Sequence, residues 1–191
     1  MSAASGLREA FHYLYRDELP ALQALARSLP NRPKVVNIGA GAGTSGVALL
    51  ESRPDLQLYT IDIQRESSPL GCLESELVCA QQHGLADRLT QIHGRSQDVA
   101  MTWNMPVDMV FIDGDHSYEG CAQDISRWLV HLKPSGILAV HDYNKQMLVP
   151  EEDGPHPMPW VGVNQAVDVL LRGYFEEICY VKSLIAFRVT K

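Results

Sequence analysis

The chain has 191 residues, enough for one domain with its own core and too few for a second large one. Hydrophobic residues make up 46% and charged residues 20%, the balance of a globular fold. The formal charge of −7, with no basic stripe, argues against a nucleic-acid polyanion as substrate.

No run approaches the roughly 18 apolar residues of a membrane span. The opening MSAASGLREAFHYLYRDEL has no basic head before an apolar core, so no secretory leader is expected. Cys72, Cys79, Cys121 and Cys179 lie apart and form no CxxC pair. They read as reduced packing thiols of a cytoplasmic protein.

Residues 5–29 carry Leu7, Phe11, Leu14, Tyr15, Leu19, Leu22, Leu25, Ala26 and Leu29 at helical spacing. One helix, or two interrupted near Pro20, is expected, closed by Pro30 and Pro33. Residues 1–33 would then form a helical cap over a sheet edge or a ligand pocket.

Val35, Val36 and Ile38 form a short buried strand. Gly39, Gly41 and Gly43 follow at once, and Ser45 to Ser52 reads as helix, stopped by Pro54. Glycines here allow a tight turn and a close approach of ligand to backbone. The following helix start offers unpaired N–H groups to a polar or anionic group. The plainer alternative is a tight turn and nothing more. Gln57 to Asp62 is the second strand. Its acid stands about 20 positions after the glycines, where a carboxylate can accept hydrogen bonds from a ribose diol. Together these features point to an adenosine-containing cofactor.

Ser67 or Ser68 would cap the next helix, with Pro69 in its first turn, Leu73, Leu77, Val78 and Ala80 on its apolar face, and Gly84 at its end. Leu89 to His93 is a third strand, followed by Gly94-Arg95-Ser96. Val107 to Ile112 is a fourth. Tyr118 to His131 is helical, with Ala122, Ile125, Trp128, Leu129 and Leu132 on one face. Pro134-Ser135-Gly136 is a turn, and Ile137 to Val140 a fifth strand. Residues 143–161 are rich in proline and charge and read as a long irregular loop, either an active-site loop or flexible filler. Val163 to Arg172 is helical. Glu177 to Val181 and Leu184 to Val189 are two last strands, paired antiparallel at one edge. Alternating strands and helices imply right-handed βαβ units and a mostly parallel, doubly wound sheet covered on both faces.

Ligands in such sheets bind beyond the carboxyl ends of the strands. The fourth strand ends in Asp113, and the fifth in His141-Asp142. Adjacent strands lie about 4.8 Å apart, so these side chains can converge. Two carboxylates and an imidazole suit a divalent cation, Mg²⁺, Mn²⁺ or Ca²⁺ by the oxygens, with the histidine favouring Mn²⁺, Fe²⁺ or Zn²⁺. The plainer alternative is a set of hydrated strand caps. His116 stands three residues after Asp113. An ordinary histidine titrates near pH 6.5 and suits a general base; the plainer alternative is a histidine that hydrogen-bonds its own loop. His12, His83, His93, His131 and His156 lack such neighbours and read as structural or solvated.

NIGAGAG, the Asp62 strand tip, Gly94-Arg95-Ser96, FIDGDHSYEG and LKPSGILAVHDY together resemble class I S-adenosylmethionine-dependent methyltransferases. They are similar in particular to the small-molecule O-methyltransferase-like group with IDGDHSYE and HDY motifs. The resemblance covers roughly residues 33–145. It implies a Rossmann-like sheet of about seven strands with an antiparallel last strand. It implies that Gly39, Gly41 and neighbouring backbone hold the methionine part of S-adenosylmethionine, with Asn37, Ala40, Thr44, Ser45 and Asp113 around it. Asp62 would take the ribose hydroxyls, Ile63 would flank the adenine, and Arg95-Ser96 would lie at the adenine edge. Asp113, His141 and Asp142 match the cation ligands of metal-dependent relatives, and His116 matches the base of some of them. Two positions depart from the pattern: Asn37, where Glu or Asp is frequent, and His141, where an acid is usual. No NPPY-like motif follows the fourth strand.

The expected activity is therefore methyl transfer to a hydroxyl of a small acceptor, such as a sugar or phenolic compound. Trp160, Met158 and Tyr143 are candidates for an apolar acceptor pocket, or for ordinary packing. Many domains of this kind are dimers, so a homodimer is also open. Two other classes compete. Gly41-x-Gly43-x-x-Gly46 formally fits an NAD-dependent oxidoreductase, although no Tyr-x-x-x-Lys pattern accompanies it. The substitutions at Asn37 and His141 also fit a cofactor-binding protein without catalysis.

Overall fold

The computed structural model describes residues 2–6, 14–63, 72–144 and 161–190. Seven strands form one sheet: β1 (Lys34–Ile38), β2 (Gln57–Asp62), β3 (Leu89–His93), β4 (Val107–Ile112), β5 (Leu132–Val140), β6 (Glu176–Val181) and β7 (Leu184–Arg188). Their spatial order is β3-β2-β1-β4-β5-β7-β6. β1 to β5 are parallel, β7 runs antiparallel to β5, and β6 antiparallel to β7. This is the Rossmann-like doubly wound sheet expected from the sequence. The chain order reverses direction at β1, between β2 and β4, which is the switch point where such sheets bind ligands.

The helices are α1 (Glu18–Arg27), α2 (Thr44–Ser52), α3 (Cys72–Gln82), α4 (Ser96–Thr102), α5 (Tyr118–Leu129) and α6 (Val161–Leu170). They form two layers because the central strands are apolar on both faces. Val36, Val110, Ile112 and Leu138 pack with Ile125 and Trp128 of α5 and Val163 and Val167 of α6. Val35, Met109, Phe111 and Ala139 pack on the opposite face with Leu22 and Leu25 of α1 and Leu49 and Leu50 of α2. Every residue of β4 is buried, as a central parallel strand requires.

Several expectations shift. Pro20 does not interrupt a helix: it is the third residue of α1, in the first turn, where proline is tolerated. The seven-residue α4 was not foreseen, since Ser96 and Ala100 are its only buried residues and leave no readable periodicity. Pro134-Ser135-Gly136 does not separate a turn from a strand, because β5 runs through it. The irregularity appears instead as a register shift opposite Val107–Met109 and a positive φ of 64° at Ser135. Val78 of α3 faces solvent, and Glu76 is buried in the position expected of an apolar residue. α6 runs from Val161 to Leu170, two residues earlier than expected. The cap at Ser67 or Ser68, Pro69, the histidines His12 and His156, and most of the 143–161 loop with Met158 and Trp160 lie outside the described residues. No described helix is long and apolar enough to cross a membrane.

Candidate active site

The carboxyl ends of β1, β2 and β4 frame a cleft of about 1060 Å³. Gly39, Gly41, Asp62, Ile63, Arg95, Ser96 and Asp113 all line it. Gly39 has φ +90°, and a Cβ there would overlap the Asp113 carbonyl oxygen. Only glycine lets β1 turn this close to the end of β4. Gly41 also has positive φ (+51°), but nothing lies within 4 Å of where its Cβ would stand. Its freedom serves the turn and leaves an open face.

The Ala40 N–H donates to Asp62 Oδ2 at 2.8 Å, so the acid at the tip of β2 braces the glycine turn. α2 starts from Gly43, in left-handed conformation, with no side-chain cap. The Thr44 hydroxyl is buried and has no hydrogen-bond partner among the described residues. An uncapped helix start beside an orphaned buried hydroxyl fits a polar or anionic ligand group. Ser45 is occupied differently: its hydroxyl donates to Asn37 Oδ1 at 3.3 Å. Asn37 is fully buried. It therefore supports the turn from beneath and does not line either cavity.

Asn37 belongs to a polar network that the sequence did not reveal. Its Nδ2 lies 3.5 Å from Thr60 Oγ1. The Thr60 hydroxyl donates to Glu76 Oε1 at 2.8 Å, and Gln91 Nε2 donates to Glu76 Oε2 at 2.8 Å. Burial pushes the Glu76 carboxyl up to about 7, and the hydrogen bonds from Gln91 and Thr60 offset it only in part. A second such acid closes the far side of the cleft. Asp124 Oδ1 accepts from Ser96 Oγ and, at 2.7 Å, from Gln97 Nε2. Burial raises Asp124 to about 6. Ser96 thus lines the cleft with its hydroxyl already committed.

A smaller cavity of about 200 Å³ adjoins the cleft and is lined by Ala40, Thr44, Ser45, His141 and Asp142. Gly41, Asp113 and His116 line both. Here the ends of β4 and β5 converge as their register demands, with Ile112 beside Val140. His141 Nδ1 lies 3.4 Å from Asp113 Oδ1 and 3.5 Å from Asp142 Oδ1. His116 Nε2 lies 2.8 Å from Asp142 Oδ2 and 3.8 Å from Asp113 Oδ1. Asp142 is held at φ +60°, a strained conformation that Asp and Asn tolerate best. The backbone beyond it is pinned: Asn144 N–H donates to Asn164 Oδ1 at 2.9 Å, and the Asn164 amide donates back to the Asn144 carbonyl.

These charges set the protonation. Burial disfavours the His116 cation, but Asp113 and Asp142 outweigh it and raise His116 to about 9. It is therefore not poised near 6.5 as an isolated histidine would be. His141 is pushed well above its ordinary value: burial works against its charge, and Asp113, Asp142 and Glu18 overcome it. Asp113 is held well below the usual carboxylate range by both histidines, despite its burial.

Ligand atoms of Asp113, His141 and Asp142 all lie within 4.8 Å of one another, a spread that one divalent ion can bridge. His141 Nδ1 is buried, faces both carboxylates, and makes no hydrogen bond among the described residues. The donor set fits a cation. Tyr143, in contrast, is core: it is buried, and its hydroxyl donates to Asp168 Oδ1 at 2.9 Å. His93 and His131 pair with backbone carbonyls, each at 3.0 Å.

The residue most clearly missed is Glu18 of α1. It is fully buried, and its Oε2 lies 3.1 Å from His141 Nε2. The expected N-terminal cap thus reaches into the site and contributes a charge to it.

Comparison with known proteins agrees with this architecture. A methyltransferase-domain family matches residues 36–143, more than half of the chain, and the chain belongs to that family. A protein of Mycobacterium sp. (strain JLS) assigned as an O-methyltransferase is 35% identical over 123 residues, covering 63% of this chain and 52% of that one. The tRNA 5-carboxymethoxyuridine methyltransferase of Escherichia coli (strain K12) is 24% identical over 129 residues, covering 66% of this chain and 46% of that one. The chain thus spans about half the length of these curated relatives. Among solved structures, the O-methyltransferase TomG of Streptomyces achromogenes, in complex with S-adenosylmethionine, superposes with a TM-score of 0.75 at 23% identity, covering 100% of this chain and 91% of that one. Podospora anserina methyltransferase PaMTH1, bound to S-adenosylhomocysteine, gives 0.73 at 18% identity, covering 100% and 89%. At these identities the likeness is one of fold.

Proposed function

We propose that the protein transfers a methyl group from S-adenosylmethionine to a hydroxyl of a small molecule, at a centre that takes a divalent cation such as Mg²⁺ or Mn²⁺. The observation that carries this reading is the junction of the two cavities. A nucleoside-sized cleft with an acid at the tip of β2 opens, through Gly41, Asp113 and His116, onto a cluster of acids and histidines.

The cleft residues divide the cofactor among them. Asp62 would meet the ribose hydroxyls, Ile63 and Arg95 would flank the base, and Thr44 at the start of α2, on the wall of the adjoining smaller cavity, would face the polar amino-acid end. The sulfonium already makes the methyl electrophilic, so the protein's task is to align acceptor oxygen, methyl carbon and sulfur. Asp113, His141 and Asp142 would hold the cation, whose chemistry is to lower an acceptor hydroxyl's pKa and fix its position. His116 faces the same opening and takes the acceptor proton. Asp113 and Asp142 now hold a proton on His116; drawn onto a cation, they would release it and leave the imidazole free to act as base.

A small acceptor agrees with the net charge of −7. Free thiols at Cys79, Cys121 and Cys179 agree with a reducing, cytoplasmic setting. The test is incubation with S-adenosylmethionine and a panel of phenols, catechols and sugars, with Mg²⁺ or Mn²⁺ or with chelator, following S-adenosylhomocysteine by mass spectrometry. Acceptor-dependent product, lost with chelator, is expected. Binding of NAD in place of the sulfonium cofactor would overturn the reading in favour of an oxidoreductase.

A further inference from the structure

Among the described residues His141 Nε2 has two hydrogen-bonding neighbours, and both present acceptors. Glu18 Oε2 lies 3.1 Å away and Ser183 Oγ 3.2 Å away. The Ser183 hydroxyl donates its own proton to Glu18 Oε1 at 2.7 Å, so a lone pair is what it turns toward the imidazole. Nε2 must therefore carry the proton, and the lone pair of the neutral ring can sit only on Nδ1. That nitrogen is the one facing Asp113 and Asp142.

Glu18 is itself locked. Its Oε1 also accepts the Ser183 N–H at 2.8 Å, and its Oε2 accepts the Tyr15 N–H at 2.7 Å. Two backbone donors from opposite ends of the chain hold one fully buried carboxylate against one imidazole. A buried carboxylate behind a ligating histidine fixes ring orientation and tautomer and raises ligand basicity.

We propose that Glu18, braced by Ser183, is a positioning residue that commits His141 Nδ1 to the cation, so that α1 and the β6–β7 turn form the outer shell of the centre. This rests on the cation reading given under Proposed function. The arrangement favours ions that accept a nitrogen ligand, Mn²⁺ above Mg²⁺.

The test uses the whole chain. Mn²⁺ binding is measured by loss of the free-ion paramagnetic signal, and ¹⁴N coupling to the bound ion by electron spin-echo modulation, in wild type, Glu18→Gln and Ser183→Ala. A glutamine cannot present acceptors on both sides, so one of its faces meets a fixed donor with its NH₂. Expected are ¹⁴N coupling in wild type, roughly 10–100-fold weaker binding with reduced coupling in Glu18→Gln, and a smaller loss in Ser183→Ala. Unchanged affinity and coupling in Glu18→Gln would overturn the positioning role and leave the cation reading standing. Failure of wild type to bind Mn²⁺ would overturn both. If Glu18→Gln does not fold, Ser183→Ala decides: weaker binding supports the role, and wild-type binding refutes it.

Discussion

Glu76 and Glu18 are both fully buried, one beneath the glycine turn and one behind the histidine cluster, yet their carboxyls are shifted in opposite directions. Among the described residues Glu76 accepts hydrogen bonds from the neutral donors Thr60 and Gln91, and burial, with the nearby Asp62 charge, lifts its carboxyl to about 7. Glu18 meets His141 and Ser183, and its carboxyl falls below the ordinary value although burial alone would raise it. Equal burial thus gives opposite outcomes, because the partner decides. The cofactor side of the site is built of backbone, glycine and buried acids whose carboxyls are raised, with Asp62 and Arg95 at the cleft wall. The acceptor side is built of charges that hold one another. The first can shape a cleft, and the second can hold a cation and move a proton.

The largest effect should come from removing the carboxylate that both histidines share. Asp113→Asn deletes a proposed cation ligand and leaves His116 and His141 facing each other with less compensation. Turnover is expected to fall by more than about 10³-fold, with Mn²⁺ binding lost, while affinity for S-adenosylhomocysteine, whose cleft Asp113 also lines, falls far less. Calorimetry with each ligand separately checks this. A parallel loss of cofactor affinity would show that the two regions are not separable.

His116→Asn comes next, with a fall in turnover of roughly 10²-fold or more. It also carries a pH signature in cation-free protein. His116 is raised to about 9 in the fold, against roughly 6.5 for an ordinary histidine. Its ion pair therefore stabilises fully below about pH 6.5, and that contribution is lost as pH rises to about 9. Urea unfolding with chelator present should show wild type losing its margin over the variant across that window. A constant difference would mean that His116 is not charged in the fold.

Glu76→Gln should act in the opposite sense and without a catalytic effect. The fold raises this carboxyl from about 4.5 to about 7, so it costs stability increasingly between those values and fully above them. The variant should match wild type near pH 4 and exceed it at pH 8, by about 3 kcal/mol. Destabilisation at pH 8 would mean that the ionised form is the one the network is built for. The smallest effect is expected at the surface. Arg172 and Asp168 are about half exposed, 3.3 Å apart, and Arg172→Ala should change stability by less than about 1 kcal/mol.

The same division separates what the sequence disclosed from what it hid. The glycine turn, Asp62, Asp113 and His141-Asp142 were legible because each follows an apolar strand directly. In a parallel sheet, strand ends converge by register alone. Glu18 was not legible: it lies 123 positions from His141, inside a segment that reads as an amphipathic cap. Ser183, in the turn between β6 and β7, carried no signal of its own. Glu76 was hidden by helical periodicity, which assigns a charged residue to the solvent face. His116 was placed correctly, but its titration depends on Asp142, 26 positions on and 2.8 Å away. Local pattern located the cofactor side, whereas long-range ion pairs organise the other.

The most direct measurement is calorimetric titration with S-adenosylhomocysteine, with and without Mn²⁺, and with NAD as control. Micromolar binding of the homocysteine compound in either condition, with none of NAD, is the predicted result. Binding of NAD alone, or of neither compound, would contradict the account.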